Sequence, residues 1–229
     1  MSETDLKSRL LEAAKPHVPF DGWSEATLRL AAEELGITPA LVAAVCPRGA
    51  VDLALAYHEA GDTAMVAALE AADLPAMRFR DRVAFAVRAR LEAVEDRELV
   101  RRGMTLFALP PHAGDGARAL WSTADRIWTA LGDSSEDINW YTKRATLSGV
   151  YGATVLYWLG DESEGKAATW AFLDRRIEDV MRIETLKARA RENRLVAGLM
   201  AGPLPILGRV RAPQGAQQAG MPGRWGRRN

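Results

Sequence analysis

The sequence predicts an all-α protein. Apolar residues recur at helical spacing along nearly the whole chain, and no run shows sustained two-residue alternation with β-branched enrichment. Ser, Thr, Pro and Gly fall where helix starts and stops need them. The first helix is expected over 4–15, with Leu6, Leu10, Ala13 and Ala14 on one face and Pro16 stopping it. Ser24 caps a second, whose Leu28, Ala31, Ala32 and Leu35 share a face before Gly36 ends it. Thr38 caps a short third, with Pro39 at its first position, where the missing N–H costs nothing. Two longer helices follow over 50–72 and 78–101, separated by Leu74-Pro75. After Gly103 comes an apolar segment, 104–109, and Pro110-Pro111 with Gly114 and Gly116 reads as a loop. A helix over 117–131 ends at Gly132, and Ser134 with Asp137 reads as a capping box opening a helix to about Leu159. The last helix runs from about Ser163 to at least Leu186, and 212–229, rich in Gly, Pro and Gln, is expected to be disordered.

With 229 residues, 48% hydrophobic, the chain is long enough to bury one substantial core. Its formal charge of zero hides an asymmetry: residues 1–180 carry 20 basic and 28 acidic side chains, a net −8, and 181–229 carry the balancing +8. A basic tail on an acidic body points to a membrane surface or an acidic partner. Cys46 is the single cysteine, which excludes an intrachain disulfide or a thiolate zinc cluster and fits a reducing compartment. Residues 1–15 alternate acid and base without an apolar segment, so no leader peptide is read there and a cytoplasmic chain is expected. The charge-free stretches 145–160 and 195–208 fall short of the roughly 18–20 apolar residues that span a bilayer, and the second contains Pro203 and Pro205.

Catalytic patterns are missing. Gly160-Asp-Glu-Ser-Glu-Gly165-Lys166 has the spacing of a phosphate loop, but Ala167 stands where Mg²⁺ needs a hydroxyl and three carboxylates would repel phosphate. His17, His58 and His112 are scattered, without helical Glu-x-x-His or His-x-x-x-His spacing, so no metal site is expected. Cys46, between Val45 and Pro47, reads as a small buried hydrophobe. An enzyme is not expected.

The three N-terminal helices have the lengths of a helix-turn-helix head, which places the reading helix at Thr38–Val45. That helix carries no Arg, Lys, Asn or Gln, and the first fifty residues hold five basic against seven acidic side chains. Nucleic acid would be repelled. The arrangement resembles tetracycline-repressor-type regulators, whose helical bodies enclose a ligand cavity. A ligand-responsive transcription regulator is the alternative function, and it requires salt-sensitive DNA binding.

Five of the seven tryptophans lie between residues 121 and 170. Trp121-Ser-Thr-Ala-Asp125-Arg-Ile127-Trp128, then Asp137-Ile-Asn139-Trp140-Tyr141-Thr142-Lys143-Arg144, then Thr169-Trp170-Ala-Phe172-Leu173-Asp-Arg175-Arg176, resembles the ubiquinone-biosynthesis accessory family, coenzyme Q biosynthesis protein nine, over roughly 5–200. Pro19-Phe20-Asp21-Gly22-Trp23-Ser24 resembles that family's head. The resemblance implies a bacterial member with a tetracycline-repressor-like fold and a degenerate head, non-enzymatic and without a cofactor. It further implies a homodimer that holds an isoprenoid quinone precursor and docks the di-iron hydroxylase that modifies it. By the same resemblance the docking surface is Asp137, Trp140, Tyr141 and Arg144, with Ile127 from the preceding helix. Positions 137, 140, 141 and 144 share one helical face, and Trp, Tyr and Arg are types enriched in interface hot spots, although Asp137 equally completes a cap and the aromatics equally serve a core.

Beyond Arg144 the helix is apolar nearly all round. Leu147, Val150, Tyr151 and Val155, with Met104, Phe107 and Trp121, are the expected lipid-lining residues, the alternative being a filled core. In the tail, Arg191 and Arg194 precede an apolar segment, Leu195, Val196, Leu199, Met200, Leu204, Ile206 and Leu207, with Arg209 and Arg211 beyond it, and an apolar segment flanked by cations suits the interface of an anionic membrane. The expected organisation is a head at 1–50, a helical lipid-binding and dimerisation domain at 51–186, a membrane-contact segment at 187–211 and a disordered tail at 212–229. The expected location is the cytoplasm, peripheral on the inner face of a bacterial inner membrane.

Overall fold

The computed structural model describes residues 3–192, with side chains through Ile183. Among the described residues there are ten α-helices and no strand: α1 (Glu3–Ala14), α2 (Val18–Asp21), α3 (Glu25–Glu34), α4 (Pro39–Val45), α5 (Ala50–Ala71), α6 (Phe79–Glu92), α7 (Arg97–Ala108), α8 (Ala113–Ala130), α9 (Ile138–Gly160) and α10 (Ala167–Glu192). The all-α class is as the sequence predicts. Among the described residues no single helix is long and apolar enough to cross a membrane.

Local chemistry sets most boundaries. Ser24 accepts the Thr27 amide at the start of α3, and the turn after it closes with Gly36 at φ 62° and the Ile37 amide on the Ala32 carbonyl at 2.9 Å. Thr38 caps α4 with Pro39 in its first turn. One element was not anticipated: Val18–Asp21 forms a helical turn, with Pro19 in its first turn, where proline's missing N–H costs nothing. Three expectations are corrected. The helix expected over 78–101 is two, because Asp96 turns its carboxylate onto the Glu98 amide and starts α7 afresh, with Gly103 inside that helix. Gly114 and Gly116, read as loop, lie in α8, where a Cβ at Gly116 would come 2.8 Å from that of Phe107. Asp137, not Ser134, caps α9, accepting from the Asn139 amide at 2.9 Å.

The described residues divide into two compact units, 3–68 with 89–119, and 69–88 with 120–192. The first contains the expected head at 1–50 together with most of α5 and all of α7. Its core joins Leu6, Leu10 and Leu11 of α1 to Leu28 and Ala31 of α3, Val45, Leu53 and Leu99. Trp23 is pinned there by its indole N–H, which donates to the Leu99 carbonyl at 3.0 Å. Arg90 and Asp62, both buried, pair at 2.7 Å, with the guanidinium lying against Gly61. In the second unit α9 packs along α10. Its buried face is Trp140, Arg144, Leu147, Tyr151, Thr154, Val155 and Trp158, with Leu173 and Ile177 interior on α10. Asp161 closes the turn between them, accepting from the amides of Ser163 and Thr169, each at 2.8 Å, and these bonds hold its carboxyl below the usual carboxylate range.

Candidate ligand cleft and its supporting ion-pair network

In the second unit Arg144 is 2% exposed and organises the end of α8 and the start of α9. Its Nε donates to Asp125 Oδ1 at 2.5 Å, and its Nη1 to Asp133 Oδ2 at 3.0 Å and to the Trp140 carbonyl at 3.2 Å. The guanidinium also lies 4.0 Å from the Trp140 ring centroid, a cation–π contact in a water-poor setting. Trp140 in turn meets Tyr141 edge-on at 4.8 Å and Trp121 at 5.9 Å. Asp133 holds a second cation: Lys143 Nζ donates to its Oδ1 at 2.7 Å and to Ser135 Oγ at 2.6 Å. Burial alone would raise the Asp133 carboxyl, but hydrogen bonds from Lys143, Ser135 and Arg144 outweigh it and hold the group below the usual range.

Beside this network lies a cleft of about 120 Å³ within the same unit. Phe79 and Val83 of α6, Trp128 of α8, Leu147 and Val150 of α9, and Ile177, Val180 and Met181 of α10 form its wall. Thr142, Lys143, Thr146 and Arg80 complete the lining, yet the surface they present is almost wholly apolar, because Lys143 is turned to Asp133. Phe79 and Met181 are 50% and 45% exposed, so the cleft opens to solvent. Phe79 and Trp128 stack with centroids 5.7 Å apart. An open apolar cleft with a few polar rim groups has the surface character of a site for a lipophilic ligand. Among the described residues no group of three or more His, Cys, Asp or Glu stands together as a metal site.

The COQ9 family model matches residues 113–184, the segment holding both the network and much of the cleft. Ubiquinone biosynthesis protein COQ9, mitochondrial, of Drosophila melanogaster is 32% identical over 186 residues, 79% of this chain and 57% of that protein. The human and rat proteins of the same name are each 30% identical over 218 residues, 90% of this chain, covering 67% and 69% of their own lengths. This chain belongs to the COQ9 family. It spans little more than half of the Drosophila COQ9 and about two thirds of the mammalian ones. A TetR transcriptional regulator from Nitrosomonas europaea ATCC 19718 superposes with a TM-score of 0.61 at 17% identity, covering 76% of this chain and 97% of that one, which shows the shared fold.

In this COQ9-family chain the residues expected to dock a partner divide by burial. Ile127 is fully interior on the α8 face that includes Thr123 and Ala124, and Trp140 and Arg144 are 3% and 2% exposed. Asp137 is exposed and Tyr141 half-buried, so these two alone of the five meet solvent. Of the expected lipid-lining set, Leu147 and Val150 line the cleft. Tyr151 and Val155 belong to the buried face of α9, and Trp121 packs with Trp140 and Tyr141. Met104 and Phe107 lie in the first unit, where Phe107 packs on that unit's core. Sequence reasoning missed the α6 and α10 walls, although Phe79 with Val83 and Ile177 with Val180 and Met181 have i, i+3 and i+4 spacing. Arg191 falls in the last turn of α10 with its side chain outside the described residues. The other membrane-contact residues, Arg194, Leu195, Val196, Leu199, Met200, Leu204, Ile206 and Leu207, and the tail at 212–229 also lie outside them.

Proposed function

We propose that this chain is a non-enzymatic accessory protein of ubiquinone biosynthesis, which binds an isoprenoid quinone precursor and presents it to the di-iron demethoxyubiquinone hydroxylase. The observation that carries the reading is the open apolar cleft, set beside the aromatic and arginine cluster in the segment that the COQ9 model matches. A polyprenylated ring resides in lipid, and an apolar cleft is what a carrier needs to lift part of it out. Docking falls first to the accessible edge, Asp137 and Tyr141, while Trp140, Arg144 and Ile127 support it from within by fixing where Tyr141 stands. The exposed side of α4 is Pro39, Ala40, Leu41, Ala43 and Ala44, which offers no guanidinium or amide to a base edge and favours this reading over a transcription regulator.

The working form is a homodimer, supported by Leu156 and Tyr157, 62% and 40% exposed on the charge-free part of α9. The place of action is the cytoplasmic side of a bacterial inner membrane, supported by the −8 body and +8 tail. Liposome flotation tests the tail: a chain ending near Glu192 should lose binding to anionic vesicles, and undiminished binding would exclude the tail as anchor. Co-precipitation with the hydroxylase tests docking: Tyr141→Ala and Asp137→Lys should each weaken capture while the fold is retained. Wild-type capture by both variants would refute docking at this edge.

A further inference from the structure

One carboxylate is shared between the rim of the cleft and the aromatic edge proposed for docking. Asp133 stands in the segment between α8 and α9, with its side chain 3% exposed. Its Oδ1 accepts from Lys143 Nζ at 2.7 Å and from Ser135 Oγ at 2.8 Å, and its Oδ2 accepts from Arg144 Nη1 at 3.0 Å. The two cations lead to different places. Lys143 belongs to the cleft lining, and its Nζ lies 5.3 Å from the ring centroid of Trp128, itself part of the wall. Arg144 lies 4.0 Å from the Trp140 ring, which meets Tyr141 edge-on. Asp137, the other residue of the accessible edge, closes the same segment as the cap of α9.

The two ion pairs differ in how much water reaches them. Arg144 is 2% exposed, so its pair with Asp133 is sealed. The Lys143 side chain is 38% exposed, so water competes with Asp133 for its ammonium. The attraction between two unit charges rises about fourfold as the effective dielectric falls from that of water to that typical of a protein surface. An apolar ligand seated against Trp128 displaces water from this rim and strengthens the Lys143–Asp133 pair without touching Asp133. A firmer Asp133 holds residues 131–137 in place, and a partner that docks on an already ordered segment loses less conformational entropy.

We propose that Lys143 and Asp133 couple the two sites, so that a filled cleft strengthens docking and a docked partner strengthens retention of the ligand. The proposal rests on the carrier reading above and adds that the hydroxylase selects loaded protein over empty. Both residues are positioning groups, which act through the order of residues 131–137 and not by contact with the reacting ring. The reciprocity is a thermodynamic necessity, since one coupling free energy enters both binding equilibria.

The affinity of the full chain for the hydroxylase, measured with and without saturating decylubiquinone, gives the coupling as a ratio. Loaded wild type should bind at least about fivefold more tightly than empty, the low end of coupling between distinct sites. Lys143→Met keeps the stem and removes the ammonium, and its ratio should fall to about one whatever the two separate affinities become. Lys143→Arg returns a donor to Asp133 and should recover the enhancement. A merely structural role would lower docking in both states and leave the ratio standing. Hydrogen exchange of wild type needs no variant to fold: the amides of 131–137 should exchange more slowly, by about threefold or more, once decylubiquinone is bound. An undiminished ratio in Lys143→Met, or exchange over 131–137 that ignores the ligand, overturns the coupling. Wild type that binds both partners with a ratio of one also overturns it and leaves the carrier reading intact. Wild type that binds neither decylubiquinone nor the hydroxylase refutes the carrier reading and the coupling with it.

Discussion

Replacing Arg144 with methionine keeps most of the buried stem and removes the guanidinium. In wild type that group satisfies Asp125 at 2.5 Å and Asp133 at 3.0 Å and covers the Trp140 ring at 4.0 Å. Removing one partner of a buried ion pair costs about 3–5 kcal/mol. Asp133 keeps Lys143 and Asp125 is 19% exposed, so the lower end applies, about 3 kcal/mol. At roughly 2–4 °C per kcal/mol for a chain of this size, the melting temperature should fall by about 6–12 °C. The penalty is the stranding of two carboxylates, so it should shrink when they are protonated. Differential scanning calorimetry of Arg144→Met beside wild type, at pH 7 and again near pH 3, reads both effects. A loss below about 0.5 kcal/mol at pH 7, the scale of an exposed pair, would refute the buried-network argument. A gap that does not narrow in acid would show that the carboxylates are not its source.

Asp137 has two separable roles, since its carboxylate caps α9 and its charge faces solvent. Asp137→Ala should cost about 0.5–2 kcal/mol in urea unfolding, whereas Asp137→Asn should retain nearly all the stability and lose only hydroxylase capture. Acid should unfold the protein through Asp115, Asp133 and Asp161, whose folded pKa values all lie below the ordinary one. Their stabilisation is complete above the unfolded value and lost as pH falls through the folded values. Urea midpoints should therefore hold steady from neutral pH to about 5 and drop below about 4. Burial pushes the Cys46 thiol up, so a disulfide reagent at pH 8 should react slowly with native protein and at once in denaturant.

Where the sequence was legible, the signal was local chemistry. Ser24, Gly36, Thr38 and Pro39 mark their own helix ends, because each acts on a backbone group within a few residues. The break before α7 contains no glycine or proline, and Asp96 among charged neighbours looked like one more exposed acid. Gly114 and Gly116 resembled a loop because the reason for small residues in α8, the approach of Phe107, is tertiary. The same limit governs the site. Helical spacing put Trp140, Tyr141 and Arg144 near one face, but which way that face points depends on Asp125 and Asp133, nineteen and eleven positions away from Arg144. A lone arginine among aromatics reads equally as hot spot and as core. Two acids upstream, able to take both halves of its guanidinium, were the clue that it is core.

Mass spectrometry of lipids extracted from the natively purified protein tests the carrier account most directly, with wild type set beside a folded Val150→Phe variant. The account predicts an isoprenoid quinone or its precursor in wild type and its depletion when the cleft is filled. Wild-type protein free of isoprenoid lipid, or the same lipid in equal amount in both, would contradict it.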